Sequence, residues 1–260
     1  MNNNEFKCVN ILTDLVENYN LVGIKTSFED EGASFNDTLR LKEICNQSKT
    51  KLTIKIGGPE AIRDIVDSTI IGVKGMVAPM IESAFALKKF IQATSNNIDH
   101  SCLQSIQLGI NIETIKGVSD ILSILNQEEI KKLYSITIGR VDLVSSLGKD
   151  RKFVNDQEIY DMVVKCFLPA KKLGLKLYIG GAISNESEEF LNMLYSNGLL
   201  DKFETRYAIY DASALKHFSE ALNRGQAFEY EWLKTKSAYY NHLTNKDAQR
   251  IQMIHDRMKK

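Results

Sequence analysis

The sequence predicts an α/β fold, a (β/α)8 TIM-type barrel without an evident first strand and with a C-terminal helical extension. Three observations point there. Strand-like and helix-like segments alternate with few breaks up to residue 223, the pattern of a parallel sheet covered by helices. Two consecutive strand-like runs end in a carboxylate, Glu113 after 105–112 and Asp142 after 134–139. In a parallel barrel that places both on the face where strand ends converge. No GxGxxG or GxxxxGK[ST] string follows the first strand, which removes the usual reason to choose an open doubly wound sheet.

The elements follow from local signals. Residues 5–19 have the apolar spacing of an amphipathic helix. A strand at 23–28 and a helix near 36–47 come next. The run 51–56 is a strand stopped by Gly57-Gly58, and Pro59 suits the first turn of a helix reaching to about Ser68. Residues 73–78 are a strand closed by Pro79, followed by a helix over 82–94. The strand 105–112 leads to a helix at 115–126, and the strand 134–139 to a polar loop at 143–155. A helix over 156–173 is stopped by Gly174, and Pro169 inside it should kink or end it. Residues 175–179 are a strand stopped by Gly180-Gly181; Ser184 caps a helix at 186–197, closed by Gly198. The last strand is 203–209 and the last helix of the alternating part 212–223. That makes seven strands where a closed barrel needs eight, so one is absent at the N-terminus or hidden in the pattern.

The domain expectation is a barrel over 1–225 and a helical extension over 226–260, where Tyr230, Trp232, Tyr239 and Tyr240 occur without any strand signal. The extension either packs on its own barrel or is an arm that docks on a neighbouring subunit. With 33 basic and 33 acidic residues, the chain has no global field to favour nucleic acid or an anionic membrane. The basic run from Arg257 to Lys260 reads as a solvated tail. Cys8, Cys45, Cys102 and Cys166 are scattered, with no CxxC pair for zinc or redox work. Neither a signal peptide nor a membrane-spanning run is present, so a cytoplasmic protein with reduced thiols is expected.

Candidate site residues come from strand parity. Gly109, Asn111 and Glu113 share one face, and Leu108, Ile110 and Ile112 the other, which makes Glu113 an inward carboxylate at a strand's carboxyl end. Its ordinary alternative is a first-turn acid of the next helix. Glu113 and Asp142 together form an oxygen-rich pair suited to Mg²⁺ or Mn²⁺. Lys55 shares a face with Thr53; a charge inside a short strand needs a partner, and a substrate carboxylate would be one. Lys25 stands in the same relation to Ser27 and Glu29, with a Lys–Glu pair on the barrel floor as its alternative. Arg206, between Thr205 and Tyr207 on the last strand, is either a second anion ligand or the ion-pair partner of Glu204 or another barrel acid. Gly57-Gly58 and Gly180-Gly181 offer backbone N–H groups at strand-to-helix junctions, where anions bind, but are equally ordinary turn chemistry. His100, His217, His242 and His255 fall away from the predicted active face, and no GxSxG string occurs.

With these residues in place, the chain resembles the HpcH/HpaI aldolase and citrate lyase family from about Gly23 to Asp211. The likeness lies in Gly72-Val73-Lys74-Gly75-Met76-Val77-Ala78-Pro79-Met80-Ile81-Glu82-Ser83, in Ile112-Glu113-Thr114, and in Gly139-Arg140-Val141-Asp142-Leu143 extended by Ser145-Ser146-Leu147-Gly148. These resemble the family's strand ending in a proline, its metal-binding glutamate and its glycine-to-aspartate metal loop. The resemblance implies a phosphoenolpyruvate/pyruvate-type barrel, usually oligomeric, that binds Mg²⁺ or a similar ion. It carries Glu113 and Asp142 over as metal ligands and puts Lys55 where the family commonly has an arginine for the substrate carboxylate. Phe28-Glu29-Asp30-Glu31 is similar to the acidic string after the second barrel strand of citrate-lyase-like members. Lysine for arginine loses the bidentate fork. No histidine base follows the Phe28 strand, and the family's first strand is not evident.

The expected function is a metal-dependent carbon–carbon lyase, aldolase or citrate-lyase-like. It would act on a pyruvate- or oxaloacetate-like oxoacid or an acyl-thioester enolate, with the ion as Lewis acid. Lys55, Arg206 and the backbone of Gly139, Gly180 and Gly181 are the substrate-binding set. Lys55, Arg140 and Glu29 are the catalytic set, Arg140 stabilising developing charge. The base is left open between Glu29, Asp30 and a metal-bound water. A homo-oligomer is expected. Two rival readings stand beside this one: a Schiff-base aldolase using Lys25 or Lys55 with its pKa lowered by burial, and a non-catalytic anion-binding barrel that scaffolds an oligomer through 226–259.

Overall fold

A computed structural model describes residues 1–258; Lys259 and Lys260, the end of the basic run, lie outside the described residues. Helix α1 (Asn3–Asn18) is started by Asn2, whose side chain accepts from the Asn4 and Glu5 amides at 3.0 and 2.9 Å while Glu5 accepts from the Asn2 amide at 2.7 Å. The chain then alternates: β1 (Leu21–Ser27), α2 (Phe35–Gln47), β2 (Leu52–Lys55), α3 (Ile62–Ile71), β3 (Gly75–Ala78), α4 (Ala84–Asn97), the short α5 (His100–Leu103) and β4 (Gln107–Ile112). It continues with α6 (Ile115–Ser119), α7 (Ile121–Leu125), β5 (Ser135–Gly139), α8 (Arg140–Ser146), α9 (Gln157–Lys172), β6 (Lys176–Gly180) and α10 (Glu188–Ser196). It ends with β7 (Lys202–Glu204), β8 (Ala208–Asp211) and α11 (Phe218–Met258).

The eight strands close into a barrel in chain order. Strands β1 to β7 are parallel, and β8 runs antiparallel between β7 and β1. The strand missing from the sequence count is therefore hidden in the pattern. The run 203–209 is two short strands about the turn Thr205-Arg206-Tyr207, held by Thr205 N–H to Ala208 O at 2.9 Å and Ala208 N–H to Thr205 Oγ1 at 3.1 Å. Other boundaries also differ. Pro59 precedes α3 rather than entering its first turn, and the helix expected at 115–126 breaks at Asp120. The expected polar loop 143–155 begins inside α8 and contains a 3₁₀ turn at Arg151–Phe153. Helix α9 runs on past Pro169 and stops before Gly174, whose φ of +77° is the left-handed conformation glycine adopts without strain.

Strand parity divides the barrel. Ile24, Leu52, Ile54, Leu108, Ile110, Ile112, Ile136, Ile138 and Ile179 are buried in the apolar layer beneath the helices. The opposite parity places Lys25, Lys55, Asn111, Thr137 and Glu204 on the cavity side.

Helix α11 runs unbroken through the boundary expected at 225. A side chain at Gly225 would strike the Tyr210 hydroxyl, which donates to Ala221 O at 2.8 Å. Trp232 is buried within its own chain, with the Arg40 guanidinium 5.8 Å from its ring, rather than against a partner. From Asn241 on, the described side chains are exposed, among them Ile251, Ile254 and Met258 at helical spacing. Among the described residues no helix is long and apolar enough to cross a membrane.

Candidate active site

A cavity of about 560 Å³ opens at the carboxyl ends of β1 to β7. Its lining includes Lys25, Glu29, Lys55, Glu113, Gly139, Asp142, Gly180, Gly181, Glu204 and Arg206. Three cation–carboxylate pairs organise it. Lys25 pairs with Glu204 in the interior. Lys55 pairs with Glu29 at 2.8 Å and stands 3.6 Å from Glu113. Arg206 stands 3.6 Å from Glu31, whose carboxylate also accepts from Thr26 Oγ1 at 3.0 Å. The β1–β2 register sets Lys25 opposite Thr53 and Ser27 opposite Lys55, so Lys55 is one step nearer the mouth than Lys25. Burial pulls the Lys55 ammonium down, but Glu113 and Glu29 outweigh it and hold its pKa above the ordinary lysine value.

Glu113 follows β4 directly and is buried. Its carboxylate accepts from Asn111 Nδ2 at 2.9 Å and from the Met80 amide at 3.2 Å. Burial raises its pKa above the ordinary glutamate value; Lys55, Asn111 and the Met80 amide oppose the rise, and the Asp142 charge adds to it. Asp142 is exposed and sits in the first turn of α8 rather than in a loop, where the helix dipole favours its charge. Gly139 lies under Glu113: a Cβ there would come 2.6 Å from Glu113 Oε1 and 2.7 Å from its Cγ.

This donor set suits a hard divalent ion. Of the carboxylates that line the cavity, Glu113 and Asp142 are close enough for the Asp142 charge to raise the Glu113 pKa. Asn111 Oδ1 and Thr137 Oγ1 are buried without any hydrogen-bond partner among residues lining the same cavity. Among the described residues, no cluster of three or more His, Cys, Asp or Glu forms a closed metal cage.

Several expected site residues lie elsewhere or are already engaged. Arg140 does not face the cavity. It is fully buried and donates to Gly181 O at 2.9 Å, Gly180 O at 3.3 Å, Asn155 Oδ1 at 2.6 Å, Ser187 Oγ at 3.3 Å and Val154 O at 3.4 Å. The bare carbonyls beyond β6 draw the guanidinium away from the position expected for a charge-stabilising group. Arg206 is on the β7–β8 turn instead of a strand, half-exposed at the cavity rim. The Gly57 amide is taken by Asp64 Oδ2 at 2.7 Å. Gly181, with φ of +83°, backs onto the Arg140 and Val141 amides, 2.8 and 2.7 Å from where its Cβ would stand. No histidine lines the cavity among the described residues.

Sequence parity had not singled out Thr137, nor the orphaned oxygen of Asn111. Arg151, from the loop after α8, and Glu229, from α11, also line the cavity. Neither carries a local signal, because each is brought in from outside the strands.

A closed eight-stranded β/α barrel with its charged cavity at the carboxyl strand ends places the chain in the barrel-enzyme class. A family model described as HpcH/HpaI aldolase/citrate lyase matches residues 40–192, more than half the chain, and the chain belongs to that family of carbon–carbon lyases. Solved structures share the fold. The HpcH/HpaI aldolase from Desulfitobacterium hafniense DCB-2 is 15% identical with a TM-score of 0.59, over 75% of this chain and 82% of that one. The citrate synthase SbnG is 16% identical with a TM-score of 0.60, over 92% and 90%. The citrate lyase beta subunit from M. tuberculosis, complexed with oxaloacetate and magnesium, is 14% identical with a TM-score of 0.52, over 80% and 92%. No curated protein matches the chain in sequence.

Proposed function

We propose that the protein is a divalent-metal-dependent carbon–carbon lyase acting on a 2-oxoacid of pyruvate or oxaloacetate type. The observation that carries this reading is the convergence of Glu113, Asp142 and Lys55 on one cavity at the carboxyl strand ends. Glu113 and Asp142 would hold Mg²⁺ or Mn²⁺, which supplies Lewis-acid polarisation when bound. Lys55 binds the oxoacid carboxylate, with Arg206 as an outer anion ligand. The backbone of Gly139, Gly180 and Gly181 forms the wall against which the substrate lies. The Lys25–Glu204 pair keeps the barrel interior charge-balanced beneath it. The M. tuberculosis complex with oxaloacetate and magnesium supports the same ligand class.

The Schiff-base alternative needs a neutral amine. Two carboxylates hold Lys55 in the charged form, which favours the metal reading. A homo-oligomer belongs to the proposal; the exposed stripe Ile251, Ile254 and Met258 supports it, and light scattering on a chain ending at Asn241 tests it.

The deciding experiment is exchange of the pyruvate methyl protons with D₂O, followed by NMR with Mg²⁺ present and after EDTA. Metal-dependent exchange is expected. Exchange that survives EDTA and is trapped by borohydride would move the assignment to a lysine aldolase. A folded protein with neither exchange nor oxoacid binding would leave only the non-catalytic barrel.

A further inference from the structure

Lys55 carries two carboxylates of different kinds. Glu113, 3.6 Å away, is buried and held from behind by Asn111 and the Met80 amide. Glu29, 2.8 Å away, lies on the loop after β1 with its side chain 30% exposed. Among the described residues its carboxylate has no other ion-pair partner within 4.0 Å. Its backbone is fixed all the same. The amides of Glu29 and Asp30 donate to Ser27 Oγ at 3.1 and 3.3 Å, and Glu31 is tied to Thr26 at 3.0 Å. The Glu29 side chain can therefore leave Lys55 without moving the loop.

We infer that Glu29 occupies the seat on Lys55 that the oxoacid carboxylate takes, and that its displacement makes it the base at the carbon beside the carbonyl. The inference rests on the reading of Lys55 given above. An ammonium has three donor hydrogens, and its side chain here is only 13% exposed. With so little of it open, an incoming carboxylate competes with the resident ones for the ammonium. Glu113 has two further anchors, so Glu29 is the one that yields. Paired with Lys55, its carboxylate is held at the ammonium, 2.8 Å away. Released, it is a carboxylate beside the bound oxoacid, within side-chain reach of the carbon chain that Lys55 orients. Asp30 lines the same cavity but forms no ion pair with Lys55 among the described residues.

For pyruvate the step is an enolisation. Glu29 takes a proton from C3, the C–H electron pair becomes the C2–C3 double bond, and the carbonyl π pair moves onto O2. Return of the proton to C3 regenerates pyruvate. In cleavage the same carboxylate takes the proton of the substrate hydroxyl. The C–C pair then becomes the enolate double bond as the aldehyde leaves, and the carboxylic acid returns the proton to C3. No oxidant or reductant is needed.

The test uses the full chain with Mg²⁺ and two readouts, oxalate affinity by calorimetry and pyruvate methyl exchange by NMR. Glu29→Gln should bind oxalate about three- to tenfold more tightly, because a competing ion pair is gone. It should also slow exchange by about 100-fold or more, because the base is gone. A merely structural role would not move the two in opposite directions. Glu29→Asp is the second variant, in case the amide does not fold: its charge remains but is withdrawn by one methylene, and exchange should again fall. Weaker oxalate binding, exchange within a few-fold of wild type, or a larger loss in Asp30→Asn than in Glu29→Gln overturns the inference. Wild-type protein that neither binds oxalate nor exchanges pyruvate overturns the proposed function itself. Wild-type competence with an unaltered Glu29→Gln variant overturns this inference alone.

Discussion

Lys55→Met is the substitution that separates a substrate ligand from a structural ion. Methionine keeps much of the length and apolar volume of the lysine stem and removes its charge. Lys55 is 13% exposed, and its two acidic neighbours lie at 2.8 and 3.6 Å. Truncating one partner of a buried, hydrogen-bonded charge pair costs about 2–5 kcal/mol. The lower half of that range applies here, because Glu29 is 30% exposed and solvent screens it. An oxoacid carboxylate that depends on this ammonium should therefore lose about 2–3 kcal/mol, or roughly 30- to 150-fold in affinity. Oxalate calorimetry in the presence of Mg²⁺ measures it, and Lys55→Arg should recover most of the loss. In the ligand-free variant, Glu29 and Glu113 no longer share a cation, so the Glu113 pKa should climb further. Oxalate affinity within twofold of wild type would refute the placement of the carboxylate on Lys55.

Asp142→Asn should abolish metal-dependent exchange while changing stability by less than about 1 kcal/mol, the scale of a lost first-turn dipole interaction, because Asp142 is exposed. Calorimetric melting and a Mn²⁺ titration check it; retained metal dependence counts against Asp142 as a ligand. The Glu113 pKa is raised above its ordinary 4.5 by burial, so protons compete with the metal, and affinity should fall as pH drops through that raised value. For the metal-free protein the sign is that of a raised carboxylate. The stability contribution is complete below the unfolded value and is lost as pH rises through the folded one, so its Tm should decline across that window. Titrations and melts between pH 4 and 8 test both. Arg140→Met should lower stability by about 2–4 kcal/mol, because it strips the donor from several buried acceptors. That is a Tm decrease of very roughly 4–16 °C by calorimetry, and a melt within 1–2 °C of wild type would count against the clamp.

The alternation of strands and helices was legible because its signals are local. Gly174 and Gly198, both read as helix stops, follow helices at positive φ. The inward side of Lys55 and Glu113 was legible for the same reason, since a period of two needs only a few residues to declare itself. The β7–β8 hairpin was not. Strands of three and four residues show barely one period, and the turn Thr205-Arg206-Tyr207 has none of the glycine, asparagine or proline that marks a turn. Its existence depends on β8 pairing with β1, at the other end of the chain.

The sequence by itself therefore determined the barrel class, the carboxylates Glu113 and Asp142 beyond β4 and β5, and the cavity side of Lys55. Tertiary structure alone decided what each buried charge meets. Arg140 turns to the carbonyls after β6 instead of the cavity, Lys25 finds Glu204, Arg206 finds Glu31, and Trp232 is buried in its own subunit. A buried ion must be satisfied by whatever groups the closed ring brings within a few ångströms, and those groups come from elements far apart along the chain.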